Sequence, residues 1–350
     1  MIENRKADHV NIVLEKNVNA HHNYWDDIYL IHQALPEINY DEIDLSTDFM
    51  GRRLKYPIII ESMTGGFPEA KKLNETMAKV AAEMQIGMGV GSERVIIKNR
   101  DVLDSFSIIK DYDIPLRIAN IGAPQLINQK NDPPFSDEEL SFILESLNAH
   151  FLDIHLNFLQ EVVQPEGDRN AKGIEQRLHS VCKNFPIIIK ETGAGIDFNT
   201  GLRLKRAGAF AIDIAGLSGT SFAAVEHYRA QEIGDKKRER LGLTFWDWGI
   251  PSPVSVMQNK NLNMKIIASG GIRNGLDAAR AFAIGADMVG MAGHVLKFAS
   301  QSYQQLLEEM QTIIEELKSA MFLTGSRNIE SMQKKKYIVS GQLKEWLSQI

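Results

Sequence analysis

The sequence concentrates hydrogen-bonding and acidic side chains in one stretch, HLNFLQEVVQPEGD at residues 155–168. The stretch follows a mainly apolar run at residues 150–154, which has the character of a buried strand. Such a strand does not ordinarily end in so many polar groups, because each costs roughly 1–3 kcal/mol when it is buried without a partner. We therefore expect a polar ligand here, with imidazole and amide groups holding an anion and a carboxylate holding a cation. The side chains that could do so are His155, Asn157, Gln160 and Glu161.

Two glycine-rich turns near the end of the chain predict a phosphate site. The turn SGGIRNG occupies residues 269–275, and the shorter sequence MAG occupies residues 291–293. Glycine allows backbone N–H groups to approach a phosphate closely, and the N-terminus of a following helix adds a positive dipole end. Many proteins that bind nucleotides or sugar phosphates contain the same signal. The turns therefore indicate a phosphate without identifying the molecule that carries it.

Eight short apolar runs alternate with segments of helical periodicity, and these elements must position the polar groups. Near-continuous apolar runs are typical of strands buried on both faces of a parallel sheet. Eight of them separated by helices favour an α/β fold of the (β/α)8 TIM-barrel type. The predicted strands lie at residues 57–60, 86–90, 116–120, 151–155, 186–190, 210–214, 265–268 and 286–290. Predicted helices lie at residues 69–84, 137–148, 275–284 and 295–321.

A doubly wound open sheet is the alternative architecture. It would place its glycine-rich phosphate loop after an early strand, whereas the turn at 269–271 follows the seventh predicted strand. A barrel also explains why nearly all the predicted strands end in polar or glycine residues on the carboxyl side, where barrels build their sites. Turns are rich in the same residue types. Each strand end alone is therefore ambiguous, and only the whole set favours a site.

The chain is expected to form a single domain over residues 1–350, with two additions to the barrel. Residues 1–50 precede the first predicted barrel strand, and we expect them to form a cap or an arm. Residues 226–253 follow the sixth strand and are first charged and then rich in tryptophan. This insertion is too short for a separate domain, so we expect it to cover the mouth of the barrel.

The composition restricts the partners and the compartment. A net charge of −6 argues against a nucleic-acid partner, so an anionic ligand must be held by local basic groups. The one cysteine, Cys182, excludes an internal disulfide and fits a reducing compartment. The charged N-terminus lacks the apolar core of a signal peptide, and no run reaches the roughly 18 apolar residues of a membrane helix. We therefore expect a cytoplasmic protein without a membrane partner.

Together these segments resemble the type 2, FMN-dependent isopentenyl-diphosphate isomerases, and the resemblance covers most of the chain. The segments RKADH at 5–9 and QPEGD at 164–168 are specific to that family, whereas SGGIR at 269–273 is shared with other FMN barrels. Further matching segments are ESMTGG at 61–66, GSER at 91–94, NIGA at 120–123, KETGAG at 190–195, SGTS at 218–221 and WDWGIPS at 246–252. Two positions depart from the family pattern, because Glu93 stands where Gln is usual and Phe158 where Pro is usual.

The resemblance implies a set of ligand-binding residues at positions that match family motifs. For the ring and ribityl chain of FMN it implies Ser62, Met63, Thr64, Ser92, Asn120, Lys190 and Thr220. For the phosphate of FMN it implies Gly270, Gly271, Ile272, Ala292 and Gly293. For the diphosphate and alkene of the substrate it implies Arg5, Lys6, His9, Ser92, Glu93, Arg94, His155, Asn157 and Gln160. For a Mg²⁺ ion that bridges to the diphosphate it implies Glu161.

The resemblance also implies a reaction, the reversible interconversion of isopentenyl and dimethylallyl diphosphate. Moving the double bond requires a proton to be added at one carbon and removed from another. The flavin must be reduced, so NADPH or another reductant activates the enzyme without being consumed stoichiometrically. Because we expect no strongly basic side chain beside the alkene, our hypothesis makes the bridging ring nitrogen of reduced FMN the main proton carrier. Gln160 is then a positioning or relay group, since an amide is a poor base. The family also implies a homotetramer or a larger homo-oligomer.

Two other functions compete with the isomerase. An FMN-dependent dehydrogenase or oxidase of hydroxy acids shares the barrel and the phosphate loop but needs a histidine base, and residues 215–220 after the sixth strand contain none. A regulatory barrel that only binds flavin or phosphate would not need a metal ligand such as Glu161. Lys190 fits a flavoenzyme because a cation beside the flavin ring stabilises its reduced, anionic form. A lysine at the barrel rim can also simply extend to solvent.

Overall fold

Eight parallel strands close a barrel in chain order in the computed structural model, which describes residues 2–130 and 132–350, with side chains from residue 5 onward. Helices cross between successive strands, so the predicted (β/α)8 barrel is confirmed. The strands are β1 Ile28–Leu30, β2 Thr47–Phe49, β3 Arg52–Leu54, β4 Ile58–Ile60, β5 Gly87–Gly89, β6 Leu116–Gly122, β7 Phe151–Leu156, β8 Ile187–Glu191, β9 Ala211–Asp213, β10 Lys265–Ala268, β11 Met288–Met291 and β12 Tyr337–Val339. Strands β4 to β11 form the barrel. Each predicted run overlaps one barrel strand.

The helices surround the barrel and extend over its carboxyl end. They are α1 Ile2–Glu15, α2 Ala70–Met84, α3 Arg94–Lys98, α4 Asp104–Ser107, α5 Asp137–Ser146, α6 Phe158–Val163, α7 Ile174–Asn184, α8 Phe198–Ala207, α9 Phe222–Glu232, α10 Lys236–Thr244, α11 Ser252–Asn259, α12 Gly275–Ile284, α13 Gly293–Ala299, α14 Tyr303–Leu323, α15 Ile329–Met332 and α16 Gly341–Gln349. Among residues 2–130 and 132–350, none of them has both the length and the apolar character that a membrane span requires.

The predicted helix at residues 295–321 is wrong as one element, because the chain forms α13 and α14 there. The side chain of Ser302 accepts a hydrogen bond from the backbone N–H of Gln305 at 3.1 Å, which is the geometry of a helix N-cap. Apolar periodicity continues across the break and conceals it in the sequence. A serine cap was the local signal for a new helix start.

The barrel interior changes from apolar to polar along the strands. At the amino-terminal end it is filled by Ile59, Ile118, Phe151, Ile188, Ala211, Ile267 and Met288, together with Phe49 and Leu54 of the β2–β3 hairpin. Alternate residues of a strand point to the same side, so the next inward positions lie two residues further on. Those positions hold Glu61, Asn120, Asp153, Lys190, Asp213 and Ser269. Apolar packing therefore forms a plug beneath a polar layer.

The two additions to the barrel have different boundaries from those expected. Residues 2–50 divide between both ends of the barrel: α1 packs on α9 and α13, whereas β2 belongs to the hairpin at the amino-terminal end. β1 pairs with β12 near the end of the chain. The insertion does not begin at residue 226, because Glu226 lies inside α9, which starts at Phe222. The helix begins there because Ser221 caps it, with its hydroxyl accepting from the backbone N–H of Ala224.

Candidate active site

A cavity opens at the carboxyl ends of the barrel strands, beneath α1 and the start of α9. All the residues predicted to bind a ligand line it except Thr64 and Glu93. Those that line it are Arg5, Lys6, His9, Ser62, Met63, Ser92, Arg94, Asn120, His155, Asn157, Gln160, Glu161, Lys190, Thr220, Gly270, Gly271, Ile272, Ala292 and Gly293. Because these residues come from the arm, from most barrel strands and from both glycine turns, the fold brings one continuous site together.

Thr64 and Glu93 are the two predicted residues that do not line the cavity. Both side chains are buried outside the cavity wall, and Glu93 Oε2 accepts a hydrogen bond from the backbone N–H of Asn120 at 2.7 Å. The chain turns at Glu93, the residue that precedes α3. Ser92 and Arg94 on either side of it line the cavity, while Glu93 is buried outside the cavity wall. Burial raises the pKa of Glu93 well above its usual value, and the carboxyl contacts the backbone of β6 rather than the cavity.

Four charged side chains form a buried cluster at the base of the cavity, which we call the floor cluster: Glu61, Asp153, Lys190 and Asp213. Lys190 Nζ donates to Glu61 Oε2 at 2.5 Å and to Asp213 Oδ2 at 2.8 Å. Ser62 Oγ donates to Asp153 Oδ2 at 3.0 Å. Lys190, predicted at the end of the fifth barrel strand, thus lies in the cavity wall. Its charge is balanced there by acids from β9 and from the end of β4.

The floor cluster avoids burying a large net negative charge by holding protons. Burial, with the nearby charge of Asp213, raises the pKa of Glu61 to about 8. Burial likewise raises the pKa of Asp153 to about 7. Although burial opposes it, the charge of Asp213 keeps the pKa of Lys190 above its usual value. Near neutral pH Lys190 is therefore charged and Glu61 is mainly protonated.

Four buried polar atoms of cavity-lining residues have no hydrogen-bond partner among the described residues: Glu61 Oε1, Ser92 Oγ, Asn157 Oδ1 and Gln164 Oε1. Gly290 leaves room for the first of them, because a Cβ at that position would lie 1.8 Å from Glu61 Oε1. Buried polar atoms are nearly always paired. Unpaired ones that face a cavity fit a polar ligand such as a flavin.

The first glycine turn is held in place through its carbonyl groups. Gly270 and Gly271 have φ values of +80° and +89°, a conformation that favours glycine. Trp25 Nε1 donates to the carbonyl oxygen of Gly270 at 2.9 Å, and Asn23 Nδ2 donates to that of Gly271 at 2.8 Å. A Cβ on Gly271 would lie 2.7 Å from the backbone of Ser218. The turn is therefore rigid and close-packed, as a phosphate cradle requires.

Three cationic side chains line the upper cavity, which we call the mouth: Arg5, Lys6 and Arg94. Lys6 Nζ donates to the carbonyl oxygens of Gly65, at 3.0 Å, and Ser92. Burial lowers the pKa of Lys6 to about 7. Arg94 Nη1 lies 2.8 Å from Asp168 Oδ2, and Arg5 Nη1 lies 3.9 Å from Glu166 Oε1. Positive groups concentrated in an acidic chain suit a multiply charged anion.

Glu226, in α9, connects the arm to α6. Its Oε1 accepts hydrogen bonds from His9 Nε2 at 2.8 Å and from Gln160 Nε2 at 3.2 Å, and its side chain is fully buried. Arg229 Nη1 donates to Glu226 Oε2 at 3.2 Å. Although burial opposes it, His9 keeps the pKa of Glu226 below its usual value. Sequence reasoning missed Glu226, because an acid in a charged helix matches no local motif.

His155 is held as a neutral ring at the end of β7. Its Nδ1 lies 2.8 Å from Asn120 Oδ1, so Nδ1 is assigned the proton and Nε2 is left as the acceptor. Burial lowers the pKa of His155 to about 3, and the charges of Lys190 and Lys6 add to the effect. The imidazole is therefore not a cation near neutral pH. It can orient a ligand through hydrogen bonds but is not a source of positive charge.

Three N–H groups hold the carboxylate of Glu161, and two of them belong to side-chain amides whose oxygen atoms suit a hard cation. Its Oε1 accepts from Asn157 Nδ2 at 2.9 Å, and its Oε2 accepts from Gln164 Nε2 and from the backbone N–H of Asp168, the latter at 2.7 Å. Asn157 Oδ1 and Gln164 Oε1 are buried and have no partner within the described ranges. No cluster of three or more His, Cys, Asp or Glu side chains occurs there. One carboxylate with amide oxygens fits Mg²⁺, which takes its remaining ligands from water and phosphate.

Comparisons with known proteins agree with the geometry of the cavity in indicating an FMN-dependent family. A family model described as FMN-dependent dehydrogenase matches residues 250–339. The isopentenyl-diphosphate delta-isomerase of Thermoplasma volcanium is 48% identical over 347 residues, with 99% of each chain covered. The protein of the same name from Archaeoglobus fulgidus is 42% identical and covers 98% of this chain and 97% of its own. That of Pyrococcus furiosus is 40% identical, covering 99% of this chain and 89% of its own.

Solved structures with low sequence identity share the barrel. A flavocytochrome b2 determined with benzoylformate has a TM-score of 0.64 at 14% identity, covering 95% of this chain and 82% of that chain. A lactate oxidase from Pediococcus acidilactici has a TM-score of 0.59, also at 14% identity, covering 95% and 87% respectively. At this identity the likeness supports the fold alone.

Proposed function

The chain belongs to the type 2, FMN-dependent isopentenyl-diphosphate delta-isomerases, and we propose that its cavity interconverts isopentenyl and dimethylallyl diphosphate with the help of FMN and Mg²⁺. The observation that carries the proposal is the division of the cavity into two parts. The mouth gathers Arg5, Lys6 and Arg94 beside Glu161, as a metal-bound diphosphate requires. The lower part combines a buried lysine with a glycine turn, as FMN requires.

The proposed FMN site extends from the floor cluster to the glycine turns. Its ring and ribityl chain would contact Ser62, Met63, Ser92, Asn120, Lys190 and Thr220, and its phosphate would contact Gly270, Gly271, Ile272, Ala292 and Gly293. The unpaired Ser92 Oγ and the rigid turn at Gly270 and Gly271 support this assignment. Thr64 is no longer proposed as a direct contact, because its side chain does not line the cavity.

The proposed substrate site lies above the FMN site. Arg5, Lys6 and Arg94 bind the diphosphate, with His9 and His155 as neighbouring polar contacts. Glu161 carries Mg²⁺, and the unpaired Oδ1 of Asn157 and Oε1 of Gln164 support a cation at this point. Because these groups hold the non-reacting end of the substrate, they place its alkene between the mouth and the floor cluster.

Proton transfer is the chemical step of the proposal. When bound in its reduced form, FMN supplies an acid–base group, the bridging nitrogen of its ring. Gln160 positions the alkene or relays a proton, because its Nε2 is fixed by Glu226 and its Oε1 lies 3.3 Å from Asn157 Nδ2. His155 is a poor acid here because its ring is neutral. We further propose NADPH as the reductant, the cytoplasm as the compartment and a homotetramer or larger assembly as the active form.

The test is to incubate the purified protein with FMN, Mg²⁺ and isopentenyl diphosphate, with and without NADPH, under anaerobic conditions. Dimethylallyl diphosphate that forms only when the flavin is reduced, without stoichiometric loss of NADPH, supports the proposal. Bound, reducible flavin without any product would contradict it and favour an FMN-dependent dehydrogenase. In a second arm, FMN is replaced by an analogue with carbon at the bridging ring position. Full activity with that analogue would contradict the proposed acid–base role of the nitrogen.

A further inference from the structure

Asp168 makes two connections behind the cavity wall. Its carboxylate Oδ2 lies 2.8 Å from Arg94 Nη1, and its backbone N–H donates to Glu161 Oε2 at 2.7 Å. Building on the proposed function, we propose that Asp168 is a positioning residue that fixes the arginine for the diphosphate at a set distance from the carboxylate for the metal. A Mg²⁺–diphosphate complex must meet both groups at once, so their separation determines how well it fits.

The surrounding chain makes Asp168 a rigid support for Glu161. The segment 164–168 folds back onto α6, and a Cβ on Gly167 would lie 1.7 Å from the carbonyl oxygen of Glu161. Arg169 Nε donates to that same carbonyl oxygen at 3.2 Å. The backbone between Glu161 and Arg169 is therefore closed into a compact loop. Glycine is required at residue 167 because any side chain there would separate Asp168 from Glu161.

The pair of Arg94 and Asp168 is sheltered from solvent. Their side chains are 15% and 17% exposed, so their attraction is screened less than that of an exposed pair. Arg94 has a second acid nearby, Asp132, but Nη2 to Oδ2 is 3.8 Å and Asp132 also pairs with Lys98. Asp168 therefore determines the direction of the guanidinium. Arg94 lines the cavity and Asp168 does not, so the acid acts through the arginine.

A second acid of the same segment, Glu166, lies near the other arginine of the mouth. Its Oε1 accepts from Arg229 Nη2 and lies 3.9 Å from Arg5 Nη1. Two acids of one short segment thus face two cations of the mouth from behind. A guanidinium that is already oriented loses less conformational entropy when it binds a phosphate than a free one does. This arrangement explains why acids occur beside a site for an anion.

If Asp168 competed with the substrate for Arg94 instead of positioning it, the same substitution would have the opposite effect on binding. A carboxylate that merely occupied Arg94 until substrate arrived would compete with the diphosphate, and its removal would strengthen binding. A positioning carboxylate strengthens binding, so its removal weakens it. Asp168→Asn keeps the size of the side chain and the backbone N–H to Glu161 while removing the charge. Asp132→Asn removes the other acid beside the same arginine and is the matched control.

Calorimetry of inorganic pyrophosphate binding to the FMN-loaded protein, in the presence of Mg²⁺, tests the positioning role of Asp168 without turnover. We expect Asp168→Asn to raise the Kd about tenfold, and Asp132→Asn to change it by less than about twofold. In an Arg94→Gln background, Asp168→Asn should change the Kd by less than about twofold, because its effect passes through the arginine. Asp168→Glu keeps the charge but displaces it by one methylene, and we expect about a threefold loss.

Three results would overturn the proposal: an unchanged or lower Kd for Asp168→Asn, the same loss in the Arg94→Gln background, or full affinity in Asp168→Glu. The last of these would mean that charge alone matters, and it remains informative if Asp168→Asn folds poorly. With isopentenyl diphosphate, Asp168→Asn should raise KM about tenfold and change kcat by less than about threefold, because the contact lies at the non-reacting end. Failure of the wild-type protein to form dimethylallyl diphosphate would contradict the proposed function and leave the pyrophosphate result intact.

Discussion

The floor cluster and the mouth both contain buried charges, but they neutralise them in different ways. In the floor cluster one cation, Lys190, bonds directly to two acids, and a raised pKa keeps Glu61 protonated. In the mouth the cations face the cavity, and Asp168 and Glu166 of the 164–168 segment lie beside Arg94 and Arg5. The floor cluster is thus balanced without a ligand, whereas the mouth presents positive charge that a ligand can use.

This difference separates stability from binding. Groups that satisfy each other inside the barrel stabilise the fold, and removing one of them leaves an uncompensated charge in a region of low dielectric. Groups that face a cavity add less to stability and more to function. Substitutions in the floor cluster should therefore lower the free energy of unfolding, and substitutions in the mouth should mainly lower activity.

Lys190→Met should have the largest effect on stability. It leaves Asp213 and Glu61 without their cation, and we expect the free energy of unfolding to fall by about 3–5 kcal/mol. FMN should also be lost from the protein. Urea denaturation at pH 7, followed by circular dichroism, measures the change. The matched control is Lys265→Met, whose side chain is 45% exposed and pairs with Asp287. Its loss should be below about 1 kcal/mol, and equal losses would contradict the distinction between buried and exposed pairs.

Gln160→Ala should mainly affect activity. It removes the amide that Glu226 and Asn157 hold in the cavity wall, and we expect kcat to fall about 100-fold. The free energy of unfolding should fall by only about 1 kcal/mol. Gln129→Ala is the control, because Gln129 is a buried amide that donates to the carbonyl oxygens of Pro124 and Asn170 outside the cavity. It should lower stability while kcat stays within about twofold. A larger loss of kcat in Gln129→Ala would contradict the specific role of the Gln160 amide in activity.

Glu61→Gln should reveal the proton held in the floor cluster. The pKa of Glu61 is about 8 in the folded chain, above its usual value near 4.5, so its contribution to stability is lost as the pH rises through that interval. Glutamine cannot ionise and does not show this loss. Between pH 5 and pH 8.5, the free energy of unfolding of the variant should therefore gain about 4 kcal/mol relative to wild type. Urea denaturation at several pH values measures it, and parallel curves for the two proteins would disprove the held proton.

The barrel and most of its wall could be predicted because they depend on local patterns. Apolar runs of strand length located β4 to β11, and polar residues after those runs located the cavity wall. Thr64 and Glu93, which the family resemblance assigned to ligand binding, are buried outside that wall, and no local pattern distinguishes them from their lining neighbours. Pairing within the floor cluster could not be predicted either. It depends on the register between β8 and β9, which brings Lys190 beside Asp213.

The mouth was less predictable because it joins segments that are far apart in the chain. Arg5 and Lys6 have the composition of a solvated tail, and only the family resemblance assigned them to the site. Glu226 is 217 residues from His9 in sequence, and their hydrogen bond exists only because α1 packs on α9. No spacing within either helix contains that information. Long-range packing therefore determines which ordinary charged residues become functional.

Ser62→Ala tests the boundary between the two regions, because Ser62 lines the cavity and also donates to Asp153 in the floor cluster. Burial raises the pKa of Asp153 to about 7, and the serine hydroxyl opposes that rise by stabilising the ionised form. An ionised carboxylate is the stronger acceptor. The substitution should therefore cost about 1 kcal/mol at pH 8.5 and about half of that at pH 6. Ser146→Ala, which loses a bond to the carbonyl oxygen of Ile143, should show the same cost at both pH values in urea denaturation. A pH-independent cost at Ser62 would mean that Asp153 does not change its charge in this range, and that the floor cluster holds its protons without help from the cavity wall.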